Sequence, residues 1–323
     1  IEHWPLFQAT HSHRNTLWQY RLSFEALRVT VNAPRKETVM ADAPDWFWEA
    51  IDQTPEDGYV SAGEVELHYL QWGQAEAPGL MLVHGHNAHA HWWDFIAPSF
   101  ASHYHVVAPD LSGMGDSDHR DEYSADLYAE ELCQVADAAG LSTNTIVVAH
   151  SFGGLMAIRA LARFKDRFKG LILLDSGVKH PDDESPKGPE RWTKPKVYPD
   201  LEVARSRFRL QPPQTCEHAF LVNHIARHSI DAIADGFVWK FDDELNSRMK
   251  ITGDFEADFV GLQCPVSLIY GEHSASFSVK SAEHMRALNP SLNVEVLKDA
   301  QHHLFLDQPI TFIALLKAAL ARF

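Results

Sequence analysis

Cysteine is scarce in this chain of 323 residues, which has three cysteines far apart at positions 133, 216 and 264. Their odd number and the lack of any Cys-x-x-Cys pair argue against a disulfide framework and against a thiolate zinc site. Cations are also in the minority, since 28 Lys and Arg residues face 44 Asp and Glu residues and leave a net charge of −16. This balance disfavours a nucleic acid or an anionic membrane surface as the main partner.

Long apolar runs are missing as well. The most apolar stretches, at 80–83, 145–149 and 171–174, are only as long as β-strands, whereas a membrane-spanning helix needs about 18 apolar residues. The overall composition, with 45% hydrophobic residues, is that of a globular chain. We therefore expect a soluble protein in a reducing compartment, which favours a cytoplasmic location.

The first 40 residues differ in charge from the rest, because they carry five basic and three acidic side chains. They contain no uninterrupted apolar stretch of the kind that a secretory signal requires. We interpret residues 1–40 as an N-terminal extension, disordered or non-native, and Met40 as a plausible native start. The first part of the folded core is expected to cover residues 41–180.

From about Tyr59, short runs rich in β-formers alternate with helix-like stretches. Strands are predicted at Val65–Tyr69, Leu80–His84, His105–Pro109, Thr145–His150, Leu171–Asp175, Val266–Gly271 and Val294–Leu297. Helices are predicted at Ala125–Ala139, Leu155–Phe164 and Val279–Leu288. Fully apolar strands that alternate with helices predict an α/β fold with a mostly parallel sheet covered by helices on both faces.

This alternation stops between residues 181 and 260, where seven prolines fall between positions 181 and 213 and helical patterns follow near 218–228. About eighty residues without the strand pattern are more typical of an inserted cap than of a continued sheet. We therefore predict a helical cap at 181–260 and the second part of the core at 261–323.

The sharpest chemical signal is a serine that follows an apolar strand. In Ile146-Val147-Val148-Ala149-His150-Ser151-Phe152-Gly153-Gly154, small residues lie two positions on either side of the serine, and a helical pattern follows. A serine in such a strand-to-helix turn has a strained backbone that exposes its hydroxyl. Ser151 is therefore a candidate nucleophile, with an ordinary helix N-cap as the alternative.

A second buried strand ends in His84-Gly85-His86-Asn87. A loop at this place can supply a backbone N–H to the oxyanion of an acyl-transfer intermediate, together with the N–H of the residue after the nucleophile. We assign these two donors to His86 and Phe152. His84 is interpreted as structural, with its ring bonded within the loop.

Two adjacent histidines follow the last predicted strand. His302 or His303 in this loop is placed to act as the general base for Ser151 and then to protonate the leaving group. We favour His302, because a Leu-x-x-Asp-x-Pro helix start follows it at 304–309. His303 stays the alternative.

Four motifs in this order resemble the α/β-hydrolase superfamily across roughly residues 46–323. They are His84-Gly85, the loop Pro109-Asp110-Leu111-Ser112-Gly113-Met114-Gly115-Asp116-Ser117, the turn around Ser151 and the loop of His302. The resemblance is to cap-bearing, carboxylesterase-like members with a serine nucleophile. It implies an eight-stranded sheet, a cap after the sixth strand, and a triad whose acid lies between Ser151 and His302.

The expected position of that acid departs from the family pattern. The family usually has Gly-x-x-Asp after the seventh strand, whereas this chain has Gly271-Glu272-His273-Ser274. A serine cannot supply the negative charge that stabilises an imidazolium ion. Two carboxylates could replace it: Asp175, which ends the sixth strand as in similar haloalkane dehalogenases, and Glu272, which lies in the usual loop. We favour Asp175. Two alternatives stay open: Asp175 has only a structural role, or the chain has no triad acid.

The type of nucleophile favours acyl chemistry, because dehalogenases and cap-bearing epoxide hydrolases of this superfamily need an aspartate at the position of Ser151. The leading hypothesis is a serine hydrolase of small-molecule carboxylic esters with short to medium acyl or aryl groups, and the first alternative is a C–C bond hydrolase of the meta-cleavage product type. A lactonase, a perhydrolase and a non-catalytic member of the fold follow. A zinc hydrolase based on His84, His86, His89 and His91 is also considered, but Ala88 stands where its motif needs aspartate.

Three tryptophans are candidates for substrate binding: Trp92, Trp93 and, in the predicted cap, Trp239. Core packing is the alternative for each of them. The sequence has neither a Gly-x-Gly-x-x-Gly motif after its first strand nor a phosphate-binding Gly-Lys-Ser/Thr loop, and no metal cluster stands out. We therefore expect no cofactor, and monomer and dimer both stay open.

Overall fold

The computed structural model describes residues 43–183, 196–250 and 252–323. Within these ranges the chain forms twelve strands: β1 Glu56–Ala62, β2 Val65–Trp72, β3 Gly79–Val83, β4 His105–Pro109, β5 Tyr123–Ser124, β6 Ile146–His150, β7 Gly170–Leu174, β8 Ile230–Ile233, β9 Gly236–Trp239, β10 Met249–Lys250, β11 Val266–Gly271 and β12 Asn293–Leu297. The N-terminal extension predicted for residues 1–40 lies outside the described residues.

The same ranges contain ten α-helices: α1 Asp45–Ile51, α2 Ala125–Ala138, α3 Phe152–Arg163, α4 Leu201–Ser206, α5 Ala219–His228, α6 Leu245–Arg248, α7 Phe255–Val260, α8 Val279–Leu288, α9 Leu304–Asp307 and α10 Pro309–Leu320. Two short 3₁₀ helices, Ala90–Trp93 and Ala97–Ser99, follow β3. No helix in the described ranges is both long enough and apolar enough to cross a lipid bilayer.

Eight strands form the central sheet, in the order β1-β2-β4-β3-β6-β7-β11-β12. The strand β2 is antiparallel to both of its neighbours, and the pairs from β4 to β12 are parallel. Every residue of β3, β4, β6, β7 and β11 is buried, because helices cover the sheet. The predicted fold is confirmed as a mostly parallel, eight-stranded α/β-hydrolase sheet.

The strand that precedes the predicted sheet pattern was not predicted. β1 has the sequence EDGYVSA, and most of its residues are exposed or half-buried. It pairs on one side with β2 and lies at the edge of the sheet. An edge strand of this kind lacks the apolar run by which a buried strand is found in a sequence.

The segment between β7 and β11, the sixth and seventh strands of the sheet, contains the predicted cap. We use the name cap for residues 181–260. Its described residues form α4, α5, α6 and α7, but they also form an antiparallel hairpin of β8 and β9, and β10 pairs with β5 of the core. The cap thus contains helices, as predicted, together with a hairpin that was not predicted. Gly236, with φ of 141°, is in a conformation that favours glycine and stands at the hairpin turn.

Candidate active site

Three candidate residues lie at the carboxyl edge of the parallel strands. Ser151 follows β6 directly, Asp175 follows β7, and His302 lies in the loop after β12. The first two strands are neighbours in the sheet, and the N–H of Ser151 donates to the carbonyl of Leu174 at 3.0 Å. Ligand and catalytic sites in open α/β sheets occur at this edge.

The backbone of Ser151 is strained, with φ of 53° and ψ of −121°. Its two following glycines allow the turn to pack closely: a Cβ on Gly153 would lie 2.3 Å from the carbonyl oxygen of His84, and one on Gly154 would lie 2.3 Å from Oγ of Ser176. The Ser176 hydroxyl donates to the carbonyl of Ser151 at 2.5 Å. Positive φ in a non-glycine residue is costly, and such strain concentrates at functional sites.

The side chains of Ser151, His302 and Asp175 form a continuous hydrogen-bonded chain. Nε2 of His302 lies 2.9 Å from Oγ of Ser151, and Nδ1 lies 2.6 Å from Oδ2 of Asp175. A carboxylate only accepts hydrogen bonds, so Nδ1 carries the proton and Nε2 is free to accept the serine proton. His302 is 4% exposed and Asp175 is 2% exposed. The arrangement is that of a nucleophile, a general base and an orienting acid.

Asp175 accepts three hydrogen bonds. Besides His302, its carboxylate receives the Gly271 N–H at 3.1 Å and the Ser274 hydroxyl at 2.6 Å. In the sequence, a serine at position 274 meant that the acid usual for the family is missing there. In the structure, the hydroxyl of Ser274 donates to Asp175, the carboxylate that faces His302. Glu272 accepts from the Asp299 N–H at 3.2 Å, and its side chain is 41% exposed. The structure thus brings Asp175 rather than Glu272 to His302.

Two further histidines surround His302. Nε2 of His150 lies 3.0 Å from the carbonyl of His302, and the rings of His303 and His302 lie 4.9 Å apart. Burial, followed by the positive charge that His302 would carry, lowers the pKa of both His150 and His303 well below the usual value. Both rings are therefore neutral at pH 7. His303 packs on Trp92 at 5.2 Å, so the structure places His302, not His303, at Ser151.

The loop after β3 passes beside the nucleophile. A Cβ on Gly85 would lie 3.3 Å from Cβ of Ser151, and the ring of His86 lies edge-on to that of Phe152 at 5.5 Å. Phe152 is the first residue of α3, so its N–H has no acceptor within the helix. Phe152 thus follows Ser151 in the chain and His86 follows Gly85, which lies against Ser151; their N–H groups stay predicted oxyanion donors.

His84 fixes this loop from within. Its Nε2 accepts the Leu111 N–H at 3.0 Å, which leaves the proton on Nδ1 for the carbonyl of Gly85 at 2.7 Å. Burial lowers the pKa of His84, which keeps the ring in this neutral form. The ring bonds within the core, as predicted for a structural residue.

Two of the three candidate tryptophans line a cavity of about 300 Å³ between the loop after β3 and the cap. They are Trp92 and Trp239, and His86 lines the same cavity. Trp93 does not, because it is fully buried and packs on Phe305 with ring centroids 4.8 Å apart. Trp93 therefore packs in the core, which was the alternative for this residue.

The four histidines considered as zinc ligands turn to separate partners. His84 bonds within its loop, Nε2 of His86 lies 3.0 Å from Oδ1 of Asn246, and Nε2 of His89 lies 2.8 Å from Oγ of Ser229. His91 lies 2.9 Å from Asp94. Two of the four, His86 and His89, therefore contact the cap, and no group of possible metal ligands among the described residues contains more than one of the four.

One of these contacts is a buried carboxylate shared by two histidines. Oδ2 of Asp94 lies 2.9 Å from Nδ1 of His91 and 2.8 Å from Nε2 of His224 in α5. Burial disfavours its charge, but the two histidines outweigh burial and hold the pKa of Asp94 well below its usual range. The charged carboxylate therefore connects the cap helix to the core.

Sequence reasoning missed the two serines that support the candidate triad. Ser176 follows Asp175 in the chain and holds the Ser151 carbonyl, and Ser274 holds the Asp175 carboxylate. The sequence did contain a signal for Ser274, since it stands at the family's acid position, but it could not show where the hydroxyl points.

Comparison with known proteins identifies the class. Residues 80–315 match the model of the alpha/beta hydrolase family. The match covers well over half of the chain, and the chain belongs to this family. Family membership supports a hydrolase activity and leaves the bond that is cleaved open.

Individual relatives are distant. A stretch of 117 residues is 33% identical to Epoxide hydrolase 1 of Caenorhabditis elegans and covers 35% of this chain but 29% of that protein. An esterase of Mycobacterium tuberculosis is 26% identical over 279 residues, which are 82% of this chain and 89% of the relative. The chain spans under half the length of the first curated relatives that it matches.

Solved structures show the same fold. The structure of the Mycobacterium tuberculosis esterase superposes with a TM-score of 0.62 at 22% identity and covers 93% of this chain and 96% of that one. A thioesterase domain from the curacin biosynthetic pathway superposes with a TM-score of 0.68 at 21% identity and covers 81% and 99% of the two chains. At these identities the likeness concerns the fold alone.

Proposed function

We propose that this protein hydrolyses carboxylic esters through an acyl-enzyme on Ser151. The observation that supports this most directly is the hydrogen-bonded chain from Ser151 through His302 to Asp175, with distances of 2.9 and 2.6 Å. Its tautomer is the one that a serine nucleophile needs, because the nitrogen that faces the hydroxyl has a free lone pair.

In the proposed reaction, Oγ of Ser151 attacks the ester carbonyl while Nε2 of His302 takes the serine proton. The tetrahedral intermediate collapses and expels the alcohol, which receives that proton from the imidazolium ion. Water then attacks the acyl-enzyme with His302 again as base, and the acid leaves. Asp175 stays ionised throughout and stabilises the imidazolium ion.

The negative oxygen of each intermediate requires donors that are already in place. The backbone N–H groups of His86 and Phe152 are proposed for this role, since Phe152 follows Ser151 at the start of α3 and His86 follows Gly85, which lies against Ser151. A single donor of this kind contributes on the order of a hundredfold to a thousandfold in kcat. The start of α3 adds the positive end of its helix dipole.

The nucleophile argues for acyl transfer over epoxide opening. Opening an epoxide through a covalent alkyl-enzyme requires a carboxylate at the turn after β6, and this chain has Ser151 there. The extent of similarity does not separate the two chemistries, because the Mycobacterium tuberculosis esterase matches over 82% of this chain and Epoxide hydrolase 4 of Homo sapiens matches over 76%. The choice of ester chemistry therefore rests on the nucleophile.

The test is hydrolysis of p-nitrophenyl esters from acetate to dodecanoate by the wild type and by Ser151→Ala. We expect turnover by the wild type and loss of at least a thousandfold in Ser151→Ala, with unchanged circular dichroism. Ser102→Ala, which changes an exposed serine away from the site, is the matched control and should keep full activity. Ester turnover that survives in Ser151→Ala would refute the mechanism. A folded wild type that cleaves no ester of the panel would refute ester hydrolysis and favour cleavage of a carbon–carbon bond.

A further inference from the structure

The cavity that His86 lines has an unusual charge. It lies between the loop after β3, which contributes His86 and Trp92, and the cap. Four cationic side chains line it, all from the cap: Lys196, Arg207, Arg209 and Lys240. Asp243 is the one carboxylate among its lining residues. The excess of positive charge among the lining residues is opposite in sign to the net charge of −16 of the whole chain.

One of the four cations is already neutralised. Nζ of Lys240 lies 2.7 and 2.8 Å from the two carboxylate oxygens of Asp116 in the core. Both side chains are mostly buried, at 14% and 17% exposure. Lys240 therefore connects the cap to the core and is not free to bind a ligand charge.

The other three cations have no carboxylate partner in the described part of the chain. Nη1 of Arg209 donates to the backbone carbonyls of Ser206 and Phe208 at 2.9 and 2.6 Å. Nζ of Lys196 lies 5.7 Å from the centre of the Tyr198 ring. Neither contact neutralises a charge. Arg207 lines the cavity two residues before Arg209.

The same cavity has an aromatic wall. The ring of Trp239 lies 5.8 Å from that of Tyr198 and 6.0 Å from that of Phe208. An apolar wall with a few convergent charges is the usual design of a small-molecule site, in which the wall supplies affinity and the charges fix orientation. Planar guanidinium groups suit carboxylate and phosphate oxygens, which they bind in pairs.

The position of His86 relates this cavity to the reaction. Its backbone N–H is one proposed oxyanion donor, and its side chain lines the cavity and bonds to Asn246 of the cap. Ser151 and His302 are not among the residues that line the cavity, so a substrate whose carbonyl oxygen lies at that donor would reach the cavity past His86. The part of the substrate that lies there would meet the aromatic wall and the three cations.

From these observations we infer that the substrate is an ester with an anionic group, a carboxylate or a phosphate, and that Lys196, Arg207 and Arg209 bind this group in the cavity. This inference rests on the proposed ester hydrolysis and adds the class of substrate. The aromatic wall takes the apolar part of the substrate between its ester and its anion. The anion's charge does not change during the reaction, so the effect of these residues should lie mainly in KM.

The first test compares two esters that differ in one charge: p-nitrophenyl hydrogen glutarate and its neutral methyl ester. We expect kcat/KM to be at least about tenfold higher for the anionic ester, through a lower KM. Arg207→Gln with Arg209→Gln should remove most of that preference by raising KM for the anionic ester. Lys196→Gln is a second variant that should reduce it. Equal kcat/KM for both esters in the wild type, or a full preference in the double variant, would overturn the inference.

A matched control separates local from general electrostatics. Arg322→Gln removes one positive charge from an arginine that pairs with Glu295 at 2.8 Å and does not line the cavity. It should keep the wild-type preference. If Arg322→Gln lowers the preference as much as Lys196→Gln does, the long-range field of the protein and not the cavity selects the anion, and the inference fails.

A binding measurement distinguishes failure of the inference from failure of the proposed function. Titration calorimetry of wild type with glutarate and with inorganic phosphate needs no ester cleavage. Binding of either anion that the arginine double variant loses would support the site even if no ester is cleaved, and the stronger of the two would identify the anion. Absence of binding by both anions, together with equal turnover of both esters, would overturn the site and leave ester hydrolysis standing.

Discussion

Replacing Asp175 with asparagine tests the candidate triad at its most specific point. The carboxylate is buried and receives three donors: Nδ1 of His302 and Oγ of Ser274 at Oδ2, and the N–H of Gly271 at Oδ1. Asparagine has almost the same shape, and it tolerates positive φ, which is 46° at this residue. The backbone and packing should therefore survive the change, and the charge alone is lost.

The chemical effect follows from the hydrogen bonds. With its carbonyl oxygen held by the Gly271 N–H, the asparagine presents an NH₂ group to Nδ1 of His302. Nδ1 must then accept, so the proton moves to Nε2 and the nitrogen that faces Ser151 can no longer take the serine proton. Loss of this tautomer in other triads lowers kcat on the order of 10⁴-fold, which corresponds to about 5 kcal/mol of transition-state stabilisation.

The assay is kcat for a p-nitrophenyl ester, with circular dichroism and thermal unfolding as checks of the fold. Glu272→Gln is the matched control, since it removes a carboxylate from the neighbouring loop, and it should change kcat less than threefold. A loss below about tenfold in folded Asp175→Asn would refute the assignment of Asp175 as the orienting acid. A large loss in Glu272→Gln would transfer that role to Glu272.

Two further predictions concern stability. Gly153→Ala should lower the free energy of unfolding by about 1–3 kcal/mol, because its Cβ would lie 2.3 Å from the His84 carbonyl oxygen. Urea unfolding measures this loss, with Gly261→Ala as the control, since its Cβ would lie 3.2 Å from its nearest atom. Equal losses in the two variants would contradict the prediction. For the buried pair of His68 and Asp110, 2.7 Å apart, burial lowers the pKa of His68, but bonds to Asp110 and Asp57 outweigh burial and raise it to about 9. The raised pKa contributes on the order of 3 kcal/mol to the free energy of unfolding; this contribution is complete below pH 6.5 and is lost as pH rises through 9. The free energy measured by urea unfolding should therefore be lower at pH 9.5 than at pH 6, and the difference should be smaller in His68→Gln. An equal difference in the variant would count against the pair.

The buried strands were predictable because their sequence pattern reflects their environment. The strands β4 and β11 and the helix α8 have the bounds that the sequence predicted, since each is a short apolar run or an amphipathic stretch between turn residues. The edge strand β1 and the hairpin of β8 and β9 were missed. Their residues are mostly exposed or half-buried, so hydrophobicity along the chain contains little trace of them.

The candidate site was predictable where one turn or loop determines a residue's position. Ser151 and His302 each follow a strand and lie in recognisable local sequences. The partner of His302 was harder to predict, because the choice between Asp175 and Glu272 depends on how β7 and β11 pair across the sheet. The cavity's cations were not predicted, since Lys196 and the pair Arg207 and Arg209 line one cavity only after the cap has folded.

Ser274 follows β11 and Asp175 follows β7, and the two side chains are hydrogen-bonded to each other. The ends of these two strands therefore lie close to the same atom, Nδ1 of His302. A carboxylate beside Nδ1 of the histidine can therefore come from either of two strand ends, and its position in the sequence need not be fixed. A family that holds its acid on one strand could move it to the neighbouring strand in two substitutions, with the other position left to a small hydroxyl that holds the newcomer. Relocation of this kind would preserve the histidine, the nucleophile and every backbone contact between them, and a comparison based on aligned positions alone would misread it as the loss of a catalytic group.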